Sequence, residues 1–153
     1  MRITLPLVKT PGTEIDKSVL GLWQRPIAEG KIEQLLVLPL DKNEYLVSYP
    51  LDAKEGMFAR ACLCRTDDRT LVQLKWFGNV DGDWPDDKRP DDKRVFQFLS
   101  YSVSGDNLTV RLLNTDVVNK DVASMKELAK SIAANRANPN LFKEGLVFTK
   151  VQK

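Results

Sequence analysis

Val19-Leu20-Gly21-Leu22-Trp23 opens the ordered part of this chain and sets how the rest is read. A run of short segments follows in which apolar residues recur at every second position. Ile32 to Leu38 is mostly apolar and is stopped by Pro39. In Glu44 to Tyr49, Tyr45, Val47 and Tyr49 share one face. From Met57 to Arg65, Met57, Ala59, Ala61 and Leu63 lie on one side and Phe58, Arg60, Cys62 and Cys64 on the other. Leu71 to Phe77 groups Val72, Leu74 and Trp76. Arg94 to Val103 is the longest strand, with both faces partly apolar, and Leu108 to Leu113 completes a meander. Asp41-Lys42-Asn43, Thr66-Asp67-Asp68-Arg69 and Ser104-Gly105-Asp106-Asn107 are short polar turns. Turns of this kind favour antiparallel neighbours.

The period then changes. Val122, Met125, Leu128, Ala129, Ile132 and Ala133 recur at helical spacing, which predicts a helix over about 123–136. Ser124-Met125-Lys126-Glu127 has the form of a capping box, and Asn138-Pro139 ends the helix. Leu146 to Val151 is a last strand. About eight or nine strands with one C-terminal helix predict an all-β fold, an antiparallel up-and-down β-barrel. Sheets of that size curl or close, and closure removes edges that would template aggregation. Residues 1–17, with two prolines and a Pro11-Gly12 turn signal, predict an extended N-terminal arm or linker. Residues 18–153 form the single barrel domain.

Composition narrows the chemistry. The 153 residues suit one domain, and a net charge of +2 gives no global field for nucleic acid or an anionic membrane. The chain has no histidine. Ser-His-Asp and Cys-His nucleophiles, His-ligated zinc and a histidine pH switch are therefore excluded. Cys62 and Cys64 lie two apart on one strand face. They read as small apolar side chains, because a disulfide between them is geometrically awkward and a zinc site needs two more ligands. No apolar run is long enough to span a membrane as a helix.

The order Gly21-x-Trp23, meander, late helix and last strand resembles lipocalins and the wider calycin group. That resemblance implies a lipocalin-like barrel with an arginine covering the tryptophan after the last main strand, for which Arg136 is the nearest candidate. A closer resemblance is to uncharacterised bacterial lipocalin-like proteins. It rests on Val19-Leu20-Gly21-Leu22-Trp23, on Leu36-Val37-Leu38-Pro39-Leu40-Asp41-Lys42-Asn43-Glu44-Tyr45-Leu46-Val47 and on Asn138-Pro139-Asn140-Leu141-Phe142-Lys143-Glu144-Gly145-Leu146-Val147-Phe148-Thr149-Lys150-Val151. It implies an exported, lipid-anchored protein on the periplasmic face of the envelope if an export signal has been removed, and a cytoplasmic protein otherwise. It brings no activity with it.

No residue cluster specifies a reaction, so the expectation is a non-enzyme without cofactor or metal. The leading reading is a barrel that holds a small apolar or amphipathic ligand. Its candidate lining residues are Tyr45, Tyr49, Arg60, Trp76, Phe96 and Phe98, with Tyr101 adding aromatic surface. Ordinary core packing competes with this reading, because small barrels fill their interiors. Arg60 and Gln97 are polar at strand centres, and an outward position is preferred for both. Trp23 reads as packing for the closed end.

A tandem Pro-Asp-Asp-Lys-Arg lies in the stretch Trp84 to Arg94, where Trp84 is a candidate partner anchor. Asp81, Asp83, Asp86 and Asp87 fail the spacing of a calcium loop. Lys120, Lys126 and Lys130 read as a solvated face rather than a nucleic-acid patch. The alternative function is an envelope structural or protein-interaction lipoprotein with a filled core.

Overall fold

Period-two alternation becomes eight strands: β1 (Gly21–Pro26), β2 (Ile32–Pro39), β3 (Tyr45–Tyr49), β4 (Met57–Arg65), β5 (Thr70–Asn79), β6 (Phe96–Ser104), β7 (Asn107–Leu112) and β8 (Leu146–Lys150). They belong to a computed structural model that describes residues 3, 5–51, 56–65, 69–79, 96–118 and 123–151. Trp84, the tandem repeat with Asp86 and Asp87, the neighbouring Asp81 and Asp83, Lys120 and Val122 lie outside the described residues. Each strand pairs antiparallel with the next, and β1 closes on β8 through Trp23↔Lys150 and Gln24↔Thr149. The fold is an up-and-down, closed eight-stranded barrel, compatible with a lipocalin-like architecture. Helix α1 (Met125–Ala134) lies between β7 and β8.

One end of the barrel is closed by the arm. A 3₁₀ turn at Lys17–Val19 precedes β1 and buries Val19. Gly21 then takes φ 125°, a conformation that glycine adopts without a Cβ penalty. This entry brings the Trp23 indole back over the turn, where Nε1 donates to the Val19 carbonyl at 2.9 Å. Trp23 is 1% exposed. The cation over its ring is Lys150, with Nζ 5.6 Å from the ring centroid. Arg136, the expected candidate, lies past the end of α1, and its carbonyl accepts from Arg69 at 3.2 Å. The closing pair Trp23↔Lys150 explains the choice, because direct cross-strand partners share a face.

Apolar residues form two layers. Inside the barrel, Trp23, Leu35, Val37, Tyr45, Val47, Leu74, Trp76 and Phe148 belong to one cluster. Outside it, against β4–β6, a second cluster joins Cys62, Cys64, Leu71 and Phe98 to Leu128 and Ile132 of α1 and to Ile3 of the arm. Leu128 and Ile132 are four apart, so both point at the barrel wall.

The Ser124 hydroxyl accepts from the Glu127 amide at 3.1 Å, and the Glu127 carboxylate accepts from the Ala123 amide at 2.9 Å. The helix stops at Asn135, four residues before Pro139. Asn135 bonds back through its side chain to the Ser131 carbonyl at 2.9 Å, so the cap rather than the proline ends it.

The arm is tied to the wall as well as to the end. Ile3 exchanges backbone hydrogen bonds with Phe96 at 2.7 and 3.1 Å. Gln73 faces outward from β5 and is buried. Its Oε1 accepts from the Leu7 and Val8 amides at 2.6 and 3.1 Å, and its Nε2 donates to the Val8 carbonyl at 3.0 Å.

Candidate functional site

The barrel interior is not filled. A cavity of about 170 Å³ lies along its axis, bordered among the described residues by eighteen that include Val19 at the closed end and contributions from β2 to β8. Alternation decides which side chains reach it. Tyr45, Val47 and Tyr49 project inward from β3, and Val72, Leu74 and Trp76 from β5. Among the described residues Ala61 is the smallest side chain in the lining, and it leaves room that a larger residue would occupy.

Of the expected lining residues, Tyr45, Tyr49 and Trp76 border the cavity, whereas Arg60, Phe96 and Phe98 do not. The register explains the difference. Lys75 pairs with Phe96 and Gln73 with Phe98, so both phenylalanines share the outward face of β5–β6. There the arm and α1 cover them. The inward residues of β6 are instead Gln97, Leu99 and Tyr101, which places Gln97 inside, contrary to the outward preference. Arg60 points outward, where its Nη2 meets Glu44 Oε1 at 2.6 Å and its Nε meets Glu44 Oε2 at 3.0 Å.

Each polar atom offered by the lining aromatics is engaged. Tyr45 Oη accepts from the Asp16 amide at 2.6 Å and donates to the Asp16 carbonyl at 2.9 Å. Tyr101 Oη donates to Asp16 Oδ2 at 2.8 Å. At the other end Tyr49 Oη donates to Glu33 Oε1. Glu33 is the direct cross-strand partner of Arg25, whose Nε and Nη2 both reach Glu33 Oε1 at 3.0 Å. The Arg25 guanidinium stands 5.8 Å from the centroid of the Phe148 ring. Trp76 Nε1 donates to Gln97 Oε1 at 3.0 Å.

Burial sets the protonation states. Desolvation pushes the Tyr45 and Tyr49 phenols up to about 12. It also raises Tyr101, with the Asp16 carboxylate adding to the effect. All three phenols are neutral at physiological pH. Cys62 and Cys64 are free and buried under the outer cluster. The hydrogen bond with Cys62, together with burial, holds the Cys64 thiol well above its ordinary range. A buried neutral thiol is a poor nucleophile.

No protein-family model matches this chain, and no curated protein matches it.

The site is therefore a cavity in a barrel wall of valine, leucine, tyrosine and tryptophan. Among the described residues no group of three or more histidine, cysteine, aspartate or glutamate side chains is placed to hold a metal ion. The arrangement can desolvate an apolar molecule. Two elements of it escape a reading of single segments. Gln97 is inward only because of the β5–β6 register, and Asp16 reaches Tyr45 and Tyr101 from an arm that carries no strand pattern.

Proposed function

We propose that the barrel is a non-enzymatic module that takes up a small apolar or amphipathic molecule. The observation that carries this is the cavity of about 170 Å³ bordered by apolar and aromatic side chains. Apolar cavities of roughly 150 Å³ stay dry and admit benzene, whereas sites for drug-sized ligands run to roughly 300–1,000 Å³. The size supports a ligand of one ring or a short chain. The spent hydroxyls and the neutral phenols support binding without catalysis. The cavity also weighs against the alternative of a structural protein with a filled core.

The resemblance to bacterial lipocalin-like proteins supports an exported, lipid-anchored setting for this module. Fractionating cells that express the natural gene tests that setting: recovery in the cytosol would reject it. Binding itself is tested by native mass spectrometry of protein purified without denaturation. A bound small molecule that is lost on replacing Ala61 by leucine is the expected result. An apo mass that does not change when small aromatic hydrocarbons are added would reject the reading.

A further inference from the structure

The lining exposes carbon almost exclusively to the space it encloses. The wall itself explains part of this. Each strand bonds sideways to its neighbours, so backbone N–H and C=O groups lie along the wall rather than across the interior. The tyrosines explain the rest. The Tyr45 hydroxyl both accepts from and donates to the Asp16 backbone. The Tyr101 hydroxyl donates to Asp16 Oδ2, and the Tyr49 hydroxyl donates to Glu33 Oε1. Neither Asp16 nor Glu33 borders the cavity, so these bonds draw the hydroxyls away from it and leave ring carbon facing the space. Trp76 and Gln97 bond to each other at 3.0 Å, and the pair leaves almost no polar surface inside. Among the described residues no charged side chain borders the cavity.

We propose that the barrel selects one-ring molecules that have no hydrogen-bonding group, namely hydrocarbons and their halogenated analogues. It rejects molecules of the same size that would place a hydroxyl, carbonyl or carboxylate in the cavity. This rests on the binding role proposed above and names the ligand class of that same site. It removes from that role any ligand whose polar group must enter the barrel. The physical reason is desolvation: a hydroxyl that leaves water for this lining gives up its hydrogen bonds and meets no partner. A methyl or chlorine substituent loses nothing comparable and keeps its dispersion contacts with the wall.

Toluene, chlorobenzene and phenol have equal heavy-atom counts and differ only in the substituent on the ring. An NMR titration of the unaltered protein gives a Kd for each. The methyl groups of Val47, Leu74 and Leu99 border the cavity, so their shifts locate each probe there without a variant. Chlorobenzene carries a polar bond but is a poor donor and acceptor, which separates bond polarity from hydrogen bonding.

Toluene is expected to bind more than about thirtyfold more tightly than phenol, the most that a medium able to hydrogen-bond the hydroxyl would discriminate. Phenol that gives no saturable shift at that multiple of the toluene Kd also meets the expectation. Chlorobenzene should bind about as tightly as toluene. A smaller preference for toluene over phenol means that the cavity supplies a partner, which overturns the proposed selectivity while the binding role stands. Rejection of chlorobenzene along with phenol overturns it too, because hydrogen bonding is then not what decides. If none of the three probes shifts the lining methyls, the binding role itself is wrong.

Discussion

The Tyr101 hydroxyl donates to Asp16 Oδ2 at 2.8 Å, joining the inside of β6 to an arm residue 85 positions earlier in the chain. Burial by itself raises the Asp16 pKa. Hydrogen bonds from Ser18 and Tyr101 outweigh that effect and hold the carboxyl below its ordinary value of 3.8. A lowered folded pKa means stability that is complete above 3.8 and lost as pH falls through the folded value. Asp16→Asn should therefore be less stable at neutral pH, and urea midpoints measured from neutral to acid should fall less steeply for it than for the wild type.

Alkaline pH gives the opposite limb. The chain has three tyrosines, all inside the barrel and all with raised pKa values. Stability from a raised group is full below the unfolded value of 10.0 and declines as pH rises toward the folded value of about 12. Ultraviolet titration of phenolate should show no tyrosine ionising near 10 in the native protein. Ionisation should instead coincide with loss of the near-UV dichroism. A phenol that titrates normally in folded protein would contradict the inward placement.

Gln73 holds the arm on the barrel wall through three hydrogen bonds to Leu7 and Val8. Gln73→Leu should destabilise the protein by about 1–3 kcal/mol, because backbone groups lose their partners. Hydrogen exchange reads this directly: the Leu7 and Val8 amides should exchange much faster in the variant, while amides of β3 and β4 should change little.

Gly21 stands at φ 125°, and a Cβ built there would meet Lys150 Cε at 3.5 Å, so space is available and backbone strain is the obstacle. Gly21→Ala should cost about 1–3 kcal/mol, the range for a non-glycine residue held in a sparsely populated positive-φ region. It should also shift the Trp23 fluorescence, since the indole depends on this entry to reach the Val19 carbonyl. A variant as stable as the wild type would mean that the chain enters β1 differently.

The barrel was legible because its strands alternate cleanly where one face is apolar. β3, β4 and β5 sort their inward residues by parity alone, and α1 declares itself through Leu128, Ile132 and the Ser124 cap. β6 resisted the same treatment. Its outward face is buried beneath the arm and α1, so Phe96 and Phe98 carry the same apolar signal as Leu99 and Tyr101. Only pairing with β5 decides the parity, and pairing is a non-local property. The inward position of Gln97 is hidden from the sequence for the same reason. Lys150 over Trp23 depends on β1 meeting β8, the last contact of the closure, which no single segment records.

The central claim is that the barrel interior admits a small apolar molecule, and an NMR titration with cumene tests it most directly. Saturable shifts are predicted for the Trp76 indole and for methyl groups of Val47, Leu74 and Leu99, all of which border the cavity. These shifts should vanish in Ala61→Phe, which fills the space. Absence of shifts, or shifts confined to outward residues such as Phe77 and Val147, would contradict the account.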